Sequence, residues 1–148
     1  MPTPDLAAEQ VRDLRALAGM MIPASAAYDV PGADDERIFK DILSNLERDR
    51  DDISRALAQL ASLAGGAFAD LEQGRRGEVA NTFRETGGAP LAALVRVVLL
   101  CYYRDDRVMQ SLGMEPRSPF PKGHVVEQGD WSLLDPVRAR APMYRTVD

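Results

Sequence analysis

The apolar positions of this chain recur every three or four residues along most of its length, which is the spacing of helices that bury one face. The first such series predicts a helix from about Pro4 to Gly19. The following segment, "IPASAAYDVPGA", contains prolines and a glycine that exclude a continuous helix, so it is predicted to be a loop. The apolar face of the first helix consists of Val11, Leu14, Ala18 and Met21.

A second, longer apolar series with helical spacing ends at Gly65-Gly66. The charged run "ERDRDD" at residues 47–52 lies between its two halves, and it is interpreted as the junction of two helices or as the exposed middle of one. Short helical pieces are predicted next, one around Phe68 and the other around Phe83. The members of the long series are Ile38, Ile42, Leu46, Ile53, Leu57, Leu60 and Ala64.

The most apolar stretch, "PLAALVRVVLLCYY", begins at Pro90 and is interrupted only by Arg96. A helix that is apolar on every side is typical of the middle of a bundle, and this one is predicted to lie there. Its length of about 14 residues is less than the roughly 20 needed to cross a bilayer. A last short helix is predicted from Asp105 to Leu112, before Gly113.

The predicted fold class is all-α, because no segment alternates with period two for long enough to predict a strand. Residues 1–112 are predicted to form a bundle of five or six helices. Residues 113–148 are predicted to form a long extended strap that contains half of the ten prolines, the only Trp and the only His. The strap and the bundle are read as a single domain, with the strap packed on the bundle, on a partner, or on both.

The composition of the chain argues against several classes of function. The net charge is −5, and acidic and basic residues are interspersed, which argues against binding to nucleic acid or an anionic membrane. Cys101 is the only cysteine, so neither an intramolecular disulfide nor a cysteine-based zinc site can form within one chain. No signal segment is visible before Leu6, which predicts a cytoplasmic location. The alternative is a periplasmic location, if a twin-arginine signal was removed or the partner carries one.

Catalytic signatures are sparse. The sequence has no Gly-rich phosphate loop, no HExxH and no GxSxG, and a single His124 cannot build a multi-histidine metal site. No catalytic, cofactor-binding or metal-binding residue is therefore assigned. Cys101 is predicted to be a small buried apolar residue, and at least one of Tyr102 and Tyr103 is predicted to face the core. The adjacent pairs Asp34-Asp35, Asp51-Asp52 and Asp105-Asp106 are interpreted as helix caps and exposed faces.

The strap has too many aromatic residues and too balanced a charge to be typical of a disordered tail. One reading is that it wraps around its own bundle and buries Trp131 and Phe120 in grooves. The other is that its fixed prolines present aromatic and arginine side chains to another protein, since these residue types are enriched in interface hot spots. Only "DWSLLDPVRAR" could add a turn or two of helix, with Asp130 or Ser132 as its cap.

Three blocks of the sequence resemble the gluconate 2-dehydrogenase subunit 3 family. They are "MMIPASAAYDVPGADDERI", "AFADLEQGRRGEVANTF" and "LLCYYRDDRVMQSLGMEPRSPFPKGHV", and the resemblance extends over residues 14–145. Its most specific parts are Ile22-Pro23 with Pro31-Gly32, and Tyr102-Tyr103 followed by Asp105, Val108, Leu112-Gly113 and Pro121-Lys122-Gly123-His124.

The resemblance implies a non-catalytic small subunit that accompanies a large flavin-dependent dehydrogenase of the glucose-methanol-choline type. Such a large subunit binds FAD, oxidises an alcohol group of a sugar or polyol, and often passes electrons to a c-type cytochrome. The small subunit assists the folding, stability or export of that enzyme. The strap is then the expected docking surface, and the residues predicted to bind the partner are Phe120, Lys122, His124, Trp131 and Tyr144.

Two other functions are open on the sequence. The chain could be a small stand-alone enzyme in which His124 works with Asp130 or Glu127 in a pocket between the strap and the bundle. It could also be a self-associating helical adaptor without an enzyme partner. Turnover by the isolated chain would favour the first of these, and a stable homo-oligomer would favour the second.

Overall fold

The computed structural model of the chain describes residues 6–118, 120, 122, 123, 125, 127–141 and 143. These residues are mainly helical and contain no strand beyond an isolated bridge between Ser25 and Val30, which confirms the all-α fold class. The chain divides into one unit that ends at Pro116 and a second that begins at Arg117. The helices are α1 (Ala8–Met21), α2 (Glu36–Ser44), α3 (Arg50–Ala64), α4 (Gln73–Thr86), α5 (Gly88–Tyr103), α6 (Asp106–Ser111) and α7 (Asp135–Arg138).

The first unit contains α1 to α6, and α3 is its central helix. This helix packs against α1, α4 and α5. It ends at Gly65, which has a left-handed backbone with φ of 74° and donates its N–H to the last turn of α3. The sequence places this helix end correctly. The buried face of α3 consists of Ile53, Ala56, Leu57 and Leu60.

The prediction that the most apolar helix, α5, lies in the middle of the bundle is wrong. α5 packs against α2, α3 and α6, and it buries residues such as Leu94 and Val98 against them. Leu99, Leu100 and Tyr103 remain exposed on another side of the helix. The five other short helices of this unit are too few to surround α5 completely, so one of its sides is left in contact with solvent.

The charged run at residues 47–52 is a junction between two helices. α2 ends at Ser44, a 3-10 turn covers Glu47–Asp49, and α3 begins at Arg50. The carboxylate of Asp49 accepts a hydrogen bond of 2.6 Å from the guanidinium of Arg96 on α5. This ion pair attaches the junction to α5, and it accounts for the single arginine in that apolar helix.

Arg107 on α6 joins the first turns of two helices that are far apart in sequence. Asp35 is the N-cap of α2, and its carboxylate accepts hydrogen bonds from the backbone N–H groups of Arg37 and Ile38. Asp105 is the N-cap of α6, and its carboxylate accepts one from the backbone N–H of Arg107. The guanidinium of Arg107 donates to both carboxylates, at 2.7 Å to Asp35 and 2.9 Å to Asp105. We call these three side chains the arginine clamp.

The arginine clamp is partly shielded from water, because the side chain of Asp105 is only 4% exposed. The hydrogen bonds from Arg107 hold the pKa of Asp35 and that of Asp105 below the ordinary aspartate value, which opposes the effect of burial. Both carboxylates are therefore ionised at neutral pH. The prediction that these aspartates are helix caps is confirmed, and the shared arginine links the two caps.

A second polar centre holds the 3-10 turn that covers Phe68–Asp70 between α1 and α4. Asp13 is buried on α1, and its carboxylate accepts a hydrogen bond of 2.8 Å from the backbone N–H of Ala69. Arg76 on α4 donates to the carbonyl oxygens of Ala69 and Leu71, at 2.7 and 2.9 Å. The backbone of the turn is thus bonded from both neighbouring helices, and Phe68 is fixed in the core.

Tyr102 and Tyr103 at the end of α5 have different surroundings. Tyr102 is buried, and its hydroxyl donates a hydrogen bond of 3.1 Å to the backbone carbonyl of Pro31. Tyr103 is exposed, and its ring stands at a right angle to that of Tyr102 with centroids 5.2 Å apart. The prediction that at least one of the pair faces the core is confirmed, and Tyr102 also anchors the loop between α1 and α2.

No single helix among the described residues is long and apolar enough to cross a membrane. Taken together, α4 and α5 have the length and composition to cross a membrane. Their axes, however, are bent by 113° at the break between them. In the bundle, both helices bury one face against α3.

We expect Arg107→Ala to lower the free energy of unfolding by about 2 kcal/mol, because the buried carboxylate of Asp105 loses its closest cation and keeps only Arg37, whose Nε lies 3.7 Å away. Arg75→Ala is the matched control, since Arg75 forms an exposed ion pair with Glu78 within α4. Its expected cost is at most about 0.5 kcal/mol. Urea denaturation followed by circular dichroism measures both values, and equal losses would contradict the role given to the arginine clamp.

The stability of the protein should fall in acid. Because Asp35 and Asp105 have a lower pKa in the folded chain, their contribution is fully present above about pH 4 and is lost as the pH falls through their folded-state pKa values. Urea denaturation between pH 7 and pH 3 should show this loss in the wild-type chain. The decline should be smaller in Arg107→Ala, in which both pKa values return towards their ordinary range. Identical pH profiles for the two proteins would refute this explanation.

Candidate interaction surface

The residues predicted to bind a partner belong to the second unit. Phe120 is 86% exposed, Trp131 is 62% exposed, and Lys122 is also exposed. His124 and Tyr144 lie outside the described residues. No described side chain from Arg117 onward is buried, so the large apolar groups of this unit face solvent. They include Phe120, Val125, Trp131, Leu133, Val137 and Met143.

Local hydrogen bonds give the chain around Trp131 a defined shape. Asp130 accepts hydrogen bonds from the backbone N–H of Ser132 at 3.0 Å and from its hydroxyl at 2.6 Å. A 3-10 turn then covers Trp131–Leu134 and leads directly into α7. The indole N–H of Trp131 donates to the side-chain oxygen of Gln128 at 3.1 Å. The prediction of a short helix capped by Asp130 is confirmed, and we call residues 130–138 the Trp131 segment.

Phe120 and Lys122 lie together in a turn of the second unit. The guanidinium of Arg117 donates a hydrogen bond of 2.7 Å to the backbone carbonyl of Gly123, which closes the turn. Gly123 has a φ of 67°, a conformation that few residues other than glycine adopt easily. Arg117, Ser118, Phe120 and Lys122 line a small cleft of about 290 Å³. The turn thus places an aromatic ring and two cationic side chains next to one another.

A second exposed apolar surface lies on the bundle, and sequence reasoning missed it. Leu99, Leu100 and Tyr103 follow Arg96 at spacings of three, four and seven residues, so they share one side of α5. We call these three residues the α5 face. Arg96 was the available signal, because a lone charge in an apolar helix marks the side that remains in contact with water.

Cys101 has the surroundings of a structural thiol. It is buried on α5, and burial followed by the charge of Asp41 raises the pKa of the thiol to about 11. Asp41 is itself held by Arg104, whose guanidinium donates to both carboxylate oxygens at 2.6 Å. A thiol in this state is protonated at neutral pH, whereas nucleophilic attack requires the thiolate. The prediction that Cys101 is a buried apolar residue is confirmed.

The enzyme reading depends on His124, which lies outside the described residues. Its two proposed carboxylate partners are both exposed in the second unit. The hydrogen bonds from Ser132 lower the pKa of Asp130, which makes this carboxylate a weaker base. Within the described part of the chain, no group of three or more His, Cys, Asp or Glu side chains is placed to hold a metal ion.

The whole chain was compared with known proteins. No protein-family model, curated protein or solved structure matches it. The resemblance described above therefore rests on the three quoted blocks of sequence. Two exposed apolar surfaces, the second unit and the α5 face, are the candidate sites for binding another protein.

We expect Cys101 to be unreactive in the folded chain. Its burial and raised pKa should prevent reaction with Ellman's reagent at pH 8, whereas one thiol per chain should react after unfolding in urea. The time course of absorbance in the two conditions measures this difference. Rapid reaction of the folded chain would mean that the thiol is accessible and would reopen a chemical role for it.

Proposed function

We propose that this chain is a non-catalytic small subunit that binds and stabilises a large FAD-dependent sugar or alcohol dehydrogenase and assists its folding. The observation that carries the proposal is the concentration of exposed large apolar side chains in the second unit, which include Phe120 and Trp131. The resemblance to the gluconate 2-dehydrogenase subunit 3 family supplies the class of partner. In this proposal, FAD belongs to the partner, and a c-type cytochrome accepts its electrons.

The exposure of the second unit supports a role in binding. Burying a side chain such as Trp or Phe in an interface removes a large apolar area from water, at about 25 cal/mol per Å². Trp131 is the residue type most typical of interface hot spots, and the cap at Asp130 already fixes the backbone beside it. A segment that is ordered before binding loses less conformational entropy in the complex. The Trp131 segment has the features of a preformed anchor.

The first unit is a stable folded bundle to which the second unit is covalently joined. Its core is continuous through α1 to α6, and the arginine clamp and the bonded turn at Phe68–Asp70 hold its loops. Binding only to the folded form of the dehydrogenase would shift its folding equilibrium towards that form by mass action. No chemical step in this chain is needed for such an effect. We place the assembly in the cytoplasm, before any export of the partner.

A second candidate function is self-association, which the α5 face favours. Leu99, Leu100 and Tyr103 form an apolar surface of the kind that α-helices bury against one another in oligomers. Sedimentation of the isolated chain distinguishes the candidates. A stable homo-oligomer that dissociates on Leu100→Glu would favour self-association, whereas a monomer that joins a flavoprotein would favour the small-subunit function.

The proposal is tested by purifying the tagged chain from its native host. We expect it to carry a large oxidoreductase, identified by mass spectrometry, and to show the absorbance bands of a bound flavin. The flavin absorbance should stay in proportion to the large subunit through gel filtration. A chain that is purified alone and without colour would contradict the proposed function.

Trp131→Ala should weaken the complex by about 2 kcal/mol, which corresponds to roughly a thirtyfold loss of affinity. The reason is the loss of a large apolar contact at the interface. Tyr28→Ala is the matched control, because Tyr28 is an exposed aromatic residue of the first unit. Equilibrium binding to the purified dehydrogenase gives the two affinities.

The same residue offers a direct spectroscopic test, because Trp131 is the only tryptophan of the chain. A chain labelled with 5-fluorotryptophan should give one ¹⁹F resonance, and this resonance should shift and broaden when the dehydrogenase binds. An unchanged resonance in the complex, or equal affinities for Trp131→Ala and Tyr28→Ala, would rule out Trp131 as an anchor.

A further inference from the structure

A groove between α1, α4 and α5 is lined by residues that belong to none of the surfaces named above. Its volume is about 340 Å³, and its walls are mainly apolar. Leu17 and Met20 contribute from α1, Gly77 and Ala80 from α4, and Leu91 from α5. Among the described residues, Arg84 of α4 is the only charged side chain that lines it. We call this feature the α4 groove.

The α4 groove is lined in part by a glycine that the fold itself does not explain. Gly77 lies within α4, and its φ is not positive, so alanine would fit the same backbone. A Cβ atom at this position would meet no heavy atom within 4 Å. Glycine nevertheless destabilises a helix interior relative to alanine. The bare backbone at Gly77 leaves room for a second backbone to approach α4 closely.

The charge of the α4 groove indicates what could occupy it. Arg84 is exposed and forms no ion pair with any described residue, whereas most arginines of α1 to α6 bind a carboxylate or a carbonyl group. Arg84 therefore gives this apolar groove one positive charge, on a chain whose net charge is −5. An apolar segment that carries a carboxylate would complement both the walls and the rim.

We propose that the α4 groove binds a helix of the dehydrogenase, with the apolar face of that helix over Gly77 and an acidic residue paired with Arg84. Grooves between helices commonly accept an amphipathic helix in this way, and the thioether of Met20 can adapt to its side chains. This inference rests on the proposed function and adds to it a second contact, on the bundle itself. This chain then binds the dehydrogenase through two contacts, the Trp131 segment and the α4 groove.

The test measures competition for the dehydrogenase inside the native host. A tagged variant and the untagged wild-type chain are expressed together, and their ratio in the purified flavoprotein complex gives the relative affinity. Gly77→Leu, which places a side chain in the groove, should be depleted from the complex at least tenfold. Gly77→Ala should be depleted less, although its melting temperature should rise by about 2–4 °C because alanine favours the helix.

Gly74→Ala is the matched control for the glycine variants. Gly74 belongs to the same helix, and a Cβ atom there would also meet no heavy atom within 4 Å, but Gly74 does not line the groove. We expect it to enter the complex as well as the wild type does. If Gly77→Ala is more stable than the wild type but binds less well, and Gly74→Ala binds normally, then misfolding cannot explain the loss of binding.

The charge contact is tested by Arg84→Glu, which should be depleted at least tenfold. Arg48→Glu makes the same change of charge at an exposed residue outside the groove, and it should be incorporated normally. Normal incorporation of both Gly77→Leu and Arg84→Glu into a flavoprotein complex would overturn the groove while leaving the proposed function intact. Failure of the wild-type chain to enter such a complex would overturn both.

Two further outcomes would also reject this inference. A change in the oligomeric state of the isolated chain caused by Gly77→Leu would assign the groove to contacts between copies of this protein. Depletion of Gly74→Ala to the same extent as Gly77→Ala would show that the effect arises from the stiffness of α4 and not from its groove.

Discussion

The first unit depends on one shared arginine. Arg107 binds the N-cap carboxylates of α2 and α6 simultaneously, so two helix starts that are distant in sequence are fixed relative to each other. A cap alone determines where a helix begins, but not where it lies in the fold. The partly buried guanidinium supplies that second constraint, because separating it from either carboxylate would remove the closest cation from a partly shielded charge.

With the loops held in this way, the bundle buries a continuous core around α3 and still leaves one side of α5 and the α4 groove in contact with solvent. The second unit buries no described side chain. A short segment has too little volume to bury its own apolar groups, so large residues such as Phe120 and Trp131 remain at its surface. The first unit thus provides a stable core, and the second unit provides exposed apolar side chains that are suited to binding.

The chemistry of the described residues agrees with such a role. The strongest electrostatic contacts are structural: Asp105 and Asp35 cap helices, Asp41 holds Arg104, and Asp13 holds a turn. Sequence reasoning identified the aspartate caps and the burial of Cys101, because both follow from local residue types. It also named Phe120, Lys122 and Trp131, since exposed aromatic residues among prolines are unusual. It did not find the α5 face or the α4 groove.

The sequence by itself determined roughly where the helices lie, because the spacing of apolar residues and the glycines and prolines at helix ends act locally. It placed α1 from Pro4 to Gly19, whereas the helix runs from Ala8 to Met21. The end of α3 at Gly65 and the junction at residues 47–52 follow from that information. Only the tertiary structure decided which sides of the helices are covered, which partners Arg107 has, and what surrounds Gly77. These properties depend on helices that are remote in sequence. Periodicity shows that a helix has an apolar side, but only its neighbours determine whether that side is buried.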